Sequence, residues 1–576
     1  MSSPLRKVAR RAFPFVDWLP AALGGGSLRA DVVAGLSVAL VAIPQSLAYA
    51  QLAGLPAYYG LYAALLPAIV GALFGSSPQL STGPVALTAL LTAASIAPLA
   101  GGGEQYVLYA IILALLSGVF QVAFGLMRLG MLMNLLSHPV LVGFVNAAAI
   151  LITLSQIPSL LGIEQPQTRD ALADAWHLAA SLPHAHGYSM AFAAAAIALL
   201  VVFARFAPRW PGVLVTVALL TAASYGLGYA GSGGGVVGEI PRGLPSPQLP
   251  AFDPQSWIAL APAALVIAVV SFMEAMSSAK IAALKTAAKW DENQELIGQG
   301  LAKIAAALSQ TMPVSGSFSR SALNLAAGAR TGLSSVVCAL CVLLTVLYLT
   351  PLLKYLPLPV LAAIIVVALA RLIDVRSVLN AWSASRDDAL VALLTFGSTI
   401  AFAPNIHIGI FVGILASLGL FVYGRMRPNL EVVEPSSEQL ARELPAEAGR
   451  ELARTLGVIR FDASLVFVNA SYFENAAMQL ERRHPNLQFI LVSASAINAL
   501  DASGVHMLSS LAEGLARHGI TLVFSGVKPQ VRRVLQRTGL EQKLGPGNFF
   551  ATEREAILAL AQRAPGGRSR RRDDAC

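Results

Sequence analysis

Arg320 sits in Pro313-Val314-Ser315-Gly316-Ser317-Phe318-Ser319-Arg320-Ser321, inside a chain otherwise built for lipid. An arginine at membrane depth is costly, so it tends to face a cavity, a partner or a ligand. The small residues beside it let the backbone stay open. A short helix starting there would add free N–H groups and a positive dipole end. Cation, hydroxyls and helix N-terminus together describe a place for an anion inside a membrane.

Three further segments carry candidate chemistry. Gly83-Pro84-Val85-Ala86 reads as a second helix start, because Pro suits the first helical position and free N–H groups follow it. Pro44 is expected to interrupt an apolar span and to free backbone groups near Gln45 and Tyr49. Glu274, in Val269-Val270-Ser271-Phe272-Met273-Glu274-Ala275-Met276, is alone in its span. A lone carboxylate in lipid is a group able to carry a proton. The plainer alternatives are a proline kink with an interhelical glutamine bond, a salt bridge of Arg320 to Glu274, and a hydrogen bond from Glu274 to a neighbouring helix. Cys338 and Cys341 have C-x-x-C spacing with no second Cys/His pair near them, so they read as small packing residues.

The elements that must position these residues are membrane spans. The 576 residues are 56% hydrophobic and 12% charged, against roughly 25% charged in soluble domains. No Asp, Glu, Lys or Arg occurs between Asp31 and Glu104, or from Ala389 to Gly424. Spans of ~20 residues are expected near 30–50, 59–74, 106–127, 139–161, 188–206, 211–229, 257–283, 293–311, 333–350, 359–373, 388–403 and 406–424. Two short ones open near 83 and 319. That order gives about 14 spans. The two short segments are each third in their half, and matched broken helices point to a midplane site between inverted repeats. Broken backbone survives at that depth only where it lines a cavity or is buried in protein.

An even span count and the basic cluster Arg6, Lys7, Arg10, Arg11 predict cytoplasmic termini in the cell's inner (plasma) membrane. No cleavable signal peptide is read at the N-terminus. The net charge of +9 does not argue for nucleic acid, because the basic residues gather at the two ends. After Arg425-Met426-Arg427-Pro428 the composition turns soluble. Strands over 458–468, 489–492 and 521–524, with helices over 504–517 and 530–538, predict a small α/β domain. The domains are therefore an N-terminal segment (1–29), a transport domain (30–427), the α/β domain (428–563) and a disordered basic tail (564–576). No metal cluster, nucleophile elbow or phosphate loop is present in the sequence. No enzyme activity and no cofactor are expected.

Five ordered motifs resemble the sulfate permease (SulP) family of anion transporters. They are Pro44-Gln45-Ser46-Leu47-Ala48-Tyr49-Ala50, Tyr59-Gly60-Leu61-Tyr62, Ser81-Thr82-Gly83-Pro84-Val85-Ala86, Asn293-Gln294-Glu295-Leu296 and Ser317-Phe318-Ser319-Arg320-Ser321. The segment Asn498-Ala499-Leu500-Asp501-Ala502-Ser503-Gly504 resembles a STAS domain. The resemblance implies a seven-plus-seven inverted repeat with core and gate domains, a homodimer, and third and tenth spans pointing their N-termini at each other. It implies an anion pocket lined by Gln45, Tyr49, Val85, Ala86, Ser319 and Arg320, with Glu274 as the proton-coupling carboxylate. Val85 stands where some relatives carry an aromatic residue, and Lys303 where many have asparagine. Ala502 replaces the serine that is phosphorylated in anti-sigma-factor antagonists, which argues against a phosphoswitch. Sulfate is the default anion, taken up with protons or by exchange. Bicarbonate, a C4-dicarboxylate or chloride exchange stays open, as do a nucleobase carrier on the same fold and an anion-sensing scaffold that signals through the STAS domain.

Overall fold

The computed structural model describes residues 13–563, apart from 24–25, 101–102, 131–136, 164–179, 208–209, 242, 245–252, 371–372, 404–405, 434–439 and 441–443. The two basic clusters and Cys576 lie outside the described residues. The chain divides into two compact units, Met1–Ser417 and Leu418–Cys576.

The first unit is helical. It opens with α1 (Phe15–Leu23), α2 (Leu28–Leu52), α3 (Tyr58–Ala63) and α4 (Leu66–Phe74). A two-residue strand β1 (Thr82–Gly83) leads into the short α5 (Ala86–Ile96). Then come α6 (Gly103–Leu126), α7 (His138–Leu161), α8 (Gly187–Phe206) and α9 (Gly212–Gly226). The second half repeats this order. It has α10 (Pro254–Thr286), α11 (Glu292–Leu308), β2 (Ser315–Gly316) and the short α12 (Phe318–Ala326). It ends with α13 (Leu333–Leu344), a π turn (Thr345–Leu349), α14 (Thr350–Leu353), α15 (Leu358–Ala370), α16 (Val375–Ala384), α17 (Arg386–Ala401) and α18 (His407–Met426). Eight of the described helical segments are long and apolar enough to cross a membrane, and Tyr58–Phe74, Ala86–Ile96 and Gly212–Gly226 are shorter apolar ones.

Two packing groups result. In one, α11 lies along α6 and α4, α10 along α6 and α12, and α13 along α2. In the other, α7 packs on α17 and α15, and α15 on α8. Small residues make the close crossings in the first group. A Cβ on Gly60 would meet the Ser46 carbonyl oxygen of α2 at 1.8 Å, which explains the glycine in Tyr59-Gly60-Leu61-Tyr62.

Two expectations need correction. The first span is not interrupted: α2 runs unbroken through Pro44. In an apolar bundle a single missing N–H is compensated locally more cheaply than an opened helix would be. The amphipathic helices α1 and α16 differ from the expected order too, since both lie outside the charge-free runs that mark spans.

The second unit has a five-stranded sheet ordered β3 (Leu430–Val433), β4 (Leu456–Phe461), β5 (Phe489–Ser493), β6 (Thr521–Ser525), β7 (Phe549–Phe550). The β3–β4 pair is antiparallel and the others are parallel. Along β4, which follows α19 (Ala446–Thr455), the side chains alternate. Ile459 and Phe461 enter one core with α20 (Ala470–Arg483), α21 (Ala502–Arg517) and α22 (Pro529–Arg537). Leu456 and Val458 enter the other, with Ala556 and Leu560 of the C-terminal helix Glu553–Arg563. The strand expected over 458–468 stops at Phe461. The apolar residues beyond it form a loop, with Leu465 in an isolated bridge to Leu500. Asp501 caps α21 by accepting from Gly504 N at 2.8 Å, and it also accepts from Phe467 N at 2.8 Å. On the exposed face of α21, Lys543 pairs with Glu513 and holds that carboxyl below its usual range.

Candidate functional site

The site forms where the two halves cross. Strands β1 and β2 pair antiparallel, Thr82 with Gly316 and Gly83 with Ser315. Ser317 N donates to Ser81 O at 2.8 Å, and Ser81 N to Ser321 Oγ at 2.8 Å, extending the join. Because each strand leads directly into a short helix, the N-terminal ends of α5 and α12 both lie beside this crossing. Two positive dipole ends and their free N–H groups converge there.

Arg320 lies in the first turn of α12 and is 2% exposed. Its Nη1 donates to the Pro84 carbonyl at 2.8 Å, so the arginine of one half is held by the helix start of the other. Its Nη2 is buried without a partner. Gly83 lies directly beneath it: a Cβ there would sit 3.1 Å from Nη2. Ser317, not singled out from the sequence, caps α12 by accepting from Arg320 N at 3.4 Å. The salt-bridge alternative does not form, since among the described residues Arg320 makes no ion pair with Glu274.

The other candidates take distinct places. Val85 is the residue before α5, extended and buried, and Ala86 begins the helix. Gln45 and Tyr49, on α2, are both buried, and Gln45 Oε1 has no partner. Tyr49, Arg320 and Glu274 are near enough to act on one another electrostatically. Ser319 is exposed, and with Gln45 it lines a cavity of about 250 Å3. The opposite wall is apolar, with Leu200 and Phe203 of α8 and Ile364 and Val367 of α15. The cavity therefore lies between the two packing groups. Glu274, on α10, has its Oε2 buried without a partner. Gln45 and Ser319 thus line one cavity, Tyr49 lies within electrostatic reach of Arg320 and Glu274, and Val85 and Ala86 open the half-helix whose start holds Arg320.

Sequence reasoning missed the residues that hold this arrangement. In the sequence Glu295 is legible only as part of Asn293-Gln294-Glu295-Leu296. It accepts from Ser76 N and Ser77 N, both at 2.9 Å, and from Gln299 Nε2 at 3.1 Å, fixing the approach to β1. Asp31 is fully buried and accepts from Arg330 N at 2.7 Å, Thr331 N at 2.9 Å and Thr331 Oγ1 at 2.8 Å. A carboxylate at the edge of a long charge-free run was the available signal. Lys303 is fully buried on α11 and donates to Gln121 Oε1 of α6 at 2.9 Å.

Comparison with known proteins identifies the family. The sulfate permease family model matches residues 28–395, and the STAS domain model matches residues 450–556. Chloroplastic sulfate transporter 4.1 of Arabidopsis thaliana is 31% identical over 569 residues, covering 96% of this chain and 82% of the relative. A probable sulfate transporter of Mycobacterium tuberculosis is 33% identical over 547 residues, covering 93% and 96%. The murine solute carrier 26 member A9 anion transporter, in its inward-facing state, superposes with a TM-score of 0.87 at 21% identity over 98% and 96% of the two chains. The transmembrane domain of a cyanobacterial bicarbonate transporter superposes with a TM-score of 0.58 at 26% identity, covering 68% of this chain and 97% of its own. The superposition on the solute carrier takes in 98% of this chain, and so both the helical unit and the C-terminal α/β sheet. The chain belongs to the sulfate permease family: it is a multi-pass membrane anion transporter with a C-terminal STAS domain, and not an enzyme.

Proposed function

We propose that this chain is a secondary active sulfate transporter, driven by protons and working by alternating access. The observation that carries the reading is Arg320 Nη2, a buried cationic donor without a protein partner at the meeting of two half-helix ends. Buried polar atoms are almost always satisfied, so an orphan donor beside two helix starts, next in sequence to the cavity-lining Ser319, is a candidate ligand contact. Arg320 supplies charge, and the N–H groups at Val85 and Ala86 and the Ser319 hydroxyl supply hydrogen bonds. Gln45 orients the anion, and Tyr49 closes the wall. Glu274 carries the coupling proton.

The two full-length sequence relatives above are sulfate transporters by name, which supports sulfate over other oxyanions. The basic N-terminal cluster supports a cytoplasmic N-terminus, and the expected even span count would return the C-terminus to the same side of a plasma membrane, with lipid around the helices. The chain works as a homodimer, and its STAS domain, residues 428–563, serves assembly and not the pocket. Uptake of labelled sulfate, bicarbonate and a C4-dicarboxylate into proteoliposomes, with and without an inward proton gradient, tests the reading. Sulfate accumulation that requires the gradient is expected. Accumulation of bicarbonate alone would overturn the substrate, and gradient-independent accumulation would overturn the coupling.

A further inference from the structure

Helix α16 carries an apolar face that no described residue covers. Val375, Leu379 and Trp382 are 61%, 63% and 57% exposed. Their spacing of four and three puts them within about 60° on one side of the helix. Arg376, Asn380 and Ser383 are exposed too and follow about 100° further round. Ser377 and Val378 are half-buried, and the helix packs on α7 and α17. Position decides what meets the apolar side. Four residues join α16 to α15, and Ser385 alone joins it to α17, so the helix stays at the level where those spans end. Its start is pinned there. Asn146 Nδ2 of α7 donates to Asp374 O at 3.3 Å, and Asp374 N donates to Asn146 Oδ1 at 2.7 Å. The Asp374 carboxylate caps α16 by accepting from Ser377 N at 3.0 Å. Asn146 lies eight residues past His138, the first residue of the 24-residue α7. That is about 12 Å along an axis of about 36 Å. Against a hydrocarbon core of about 30 Å, Asp374 falls in the outer part of one leaflet.

We propose that α16 is an in-plane membrane anchor, whose Val375–Leu379–Trp382 face lies among the lipid headgroups and first acyl carbons of the leaflet in which α7 begins. Tryptophan suits this level, because its ring is apolar and its N–H reaches the headgroups. Asp374, Arg376 and Arg386 are exposed and keep the other flank at water, which holds the helix at the boundary. The next span, α17, exposes Leu390, Leu393 and Leu394 just beyond its start, so lipid also meets the element that follows. A second copy is a poorer partner for the face. A ten-residue helix is about 15 Å long and falls far short of the ~800 Å2 per partner of a standard interface. Helix α16 belongs with α7, α15 and α17, and α15 supplies Ile364 and Val367 to the cavity. The bilayer thus holds, from outside, the packing group that forms the apolar wall opposite Gln45 and Ser319.

The test places a nitroxide at single cysteines of the full-length chain in lipid nanodiscs, after Cys338, Cys341 and Cys576 have been replaced by alanine. It reads collisions with oxygen, which concentrates in lipid, and with a nickel chelate confined to water. Val375→Cys, Leu379→Cys and Trp382→Cys should give an oxygen-to-chelate ratio several-fold above that of Arg376→Cys, Asn380→Cys and Ser383→Cys. Three positions on each face keep the comparison readable if one variant does not yield monodisperse protein. Equal ratios on the two faces refute the anchor. Spin–spin broadening on the apolar face that vanishes when labelled chains are diluted with unlabelled ones puts a second copy there, and refutes it as well. A further measurement needs no cysteine. Phosphatidylcholine brominated near the ester end of its acyl chains should quench the emission of the wild-type chain more than that of Trp382→Phe, and equal quenching overturns the placement of Trp382.

Discussion

Gly83 and Arg320 face each other across the join of the two repeats, so close that a single methyl group on residue 83 would stand 3.1 Å from the guanidinium. The arginine comes from one half of the chain and the glycine from the other. Gly83→Ala should push the free Nη2 aside without disturbing either helix. Sulfate affinity should fall several-fold, measured by calorimetry, with the melting temperature nearly unchanged. Full wild-type affinity would mean that Nη2 is not a ligand contact.

Arg320→Ala removes the charge altogether. The expected loss is roughly 1.5–3 kcal/mol of anion binding, the range for a hydrogen bond to a charged group. The variant should remain folded, since its loss frees only the Pro84 carbonyl. Unchanged affinity in monodisperse protein would contradict the assignment.

Glu274→Gln imitates the protonated carboxyl. It should abolish sulfate accumulation driven by a proton gradient and leave counterflow exchange intact, both read in proteoliposomes. Accumulation that persists under the gradient would move the coupling to another group.

Asp31→Asn tests a support far from the anion. Asp31 receives three hydrogen bonds from Arg330 and Thr331 and holds the start of α2 against the approach to α13. Losing a charge-assisted bond there should cost about 1.5–3 kcal/mol of stability. The variant should inactivate at lower temperature in detergent while keeping anion affinity within about twofold.

A chain ending near Arg427 should keep sulfate binding, because the pocket candidates all precede it. Yield, dimer stability or transport rate should drop. Lost binding in a truncated protein that stays monodisperse would give the STAS domain a part in shaping the pocket.

Much of this architecture was legible from particular residues. Charge-free runs marked the spans, and Gly83-Pro84 and Ser317-Phe318-Ser319-Arg320 marked the two half-helices. Their contact was not legible from spacing, since β1 and β2 are two residues each and separated by most of the membrane unit. Such short strands leave no alternation to read. Lys303 and Gln121 are 182 positions apart, so their bond is visible only in three dimensions. In the STAS domain, β3 and β7 are edge strands too short to show a clear alternation in the sequence. The Leu465-Val466-Phe467 stretch imitated a strand because apolar, branched residues also serve loops that fold back onto a core.

The β1–β2 ladder is so brief that it limits how this chain can be altered. With two residues on each side there is no slack to absorb an extra one. A single insertion between Ser81 and Pro84, or between Ser315 and Ser317, would turn the strand residues that follow it to the opposite face. Gly83 would no longer lie under the guanidinium, and the two helix ends would part. In this protein, chain length across these few positions is therefore as strictly bound as residue identity, and engineering of the site has to exchange side chains around a fixed spacing.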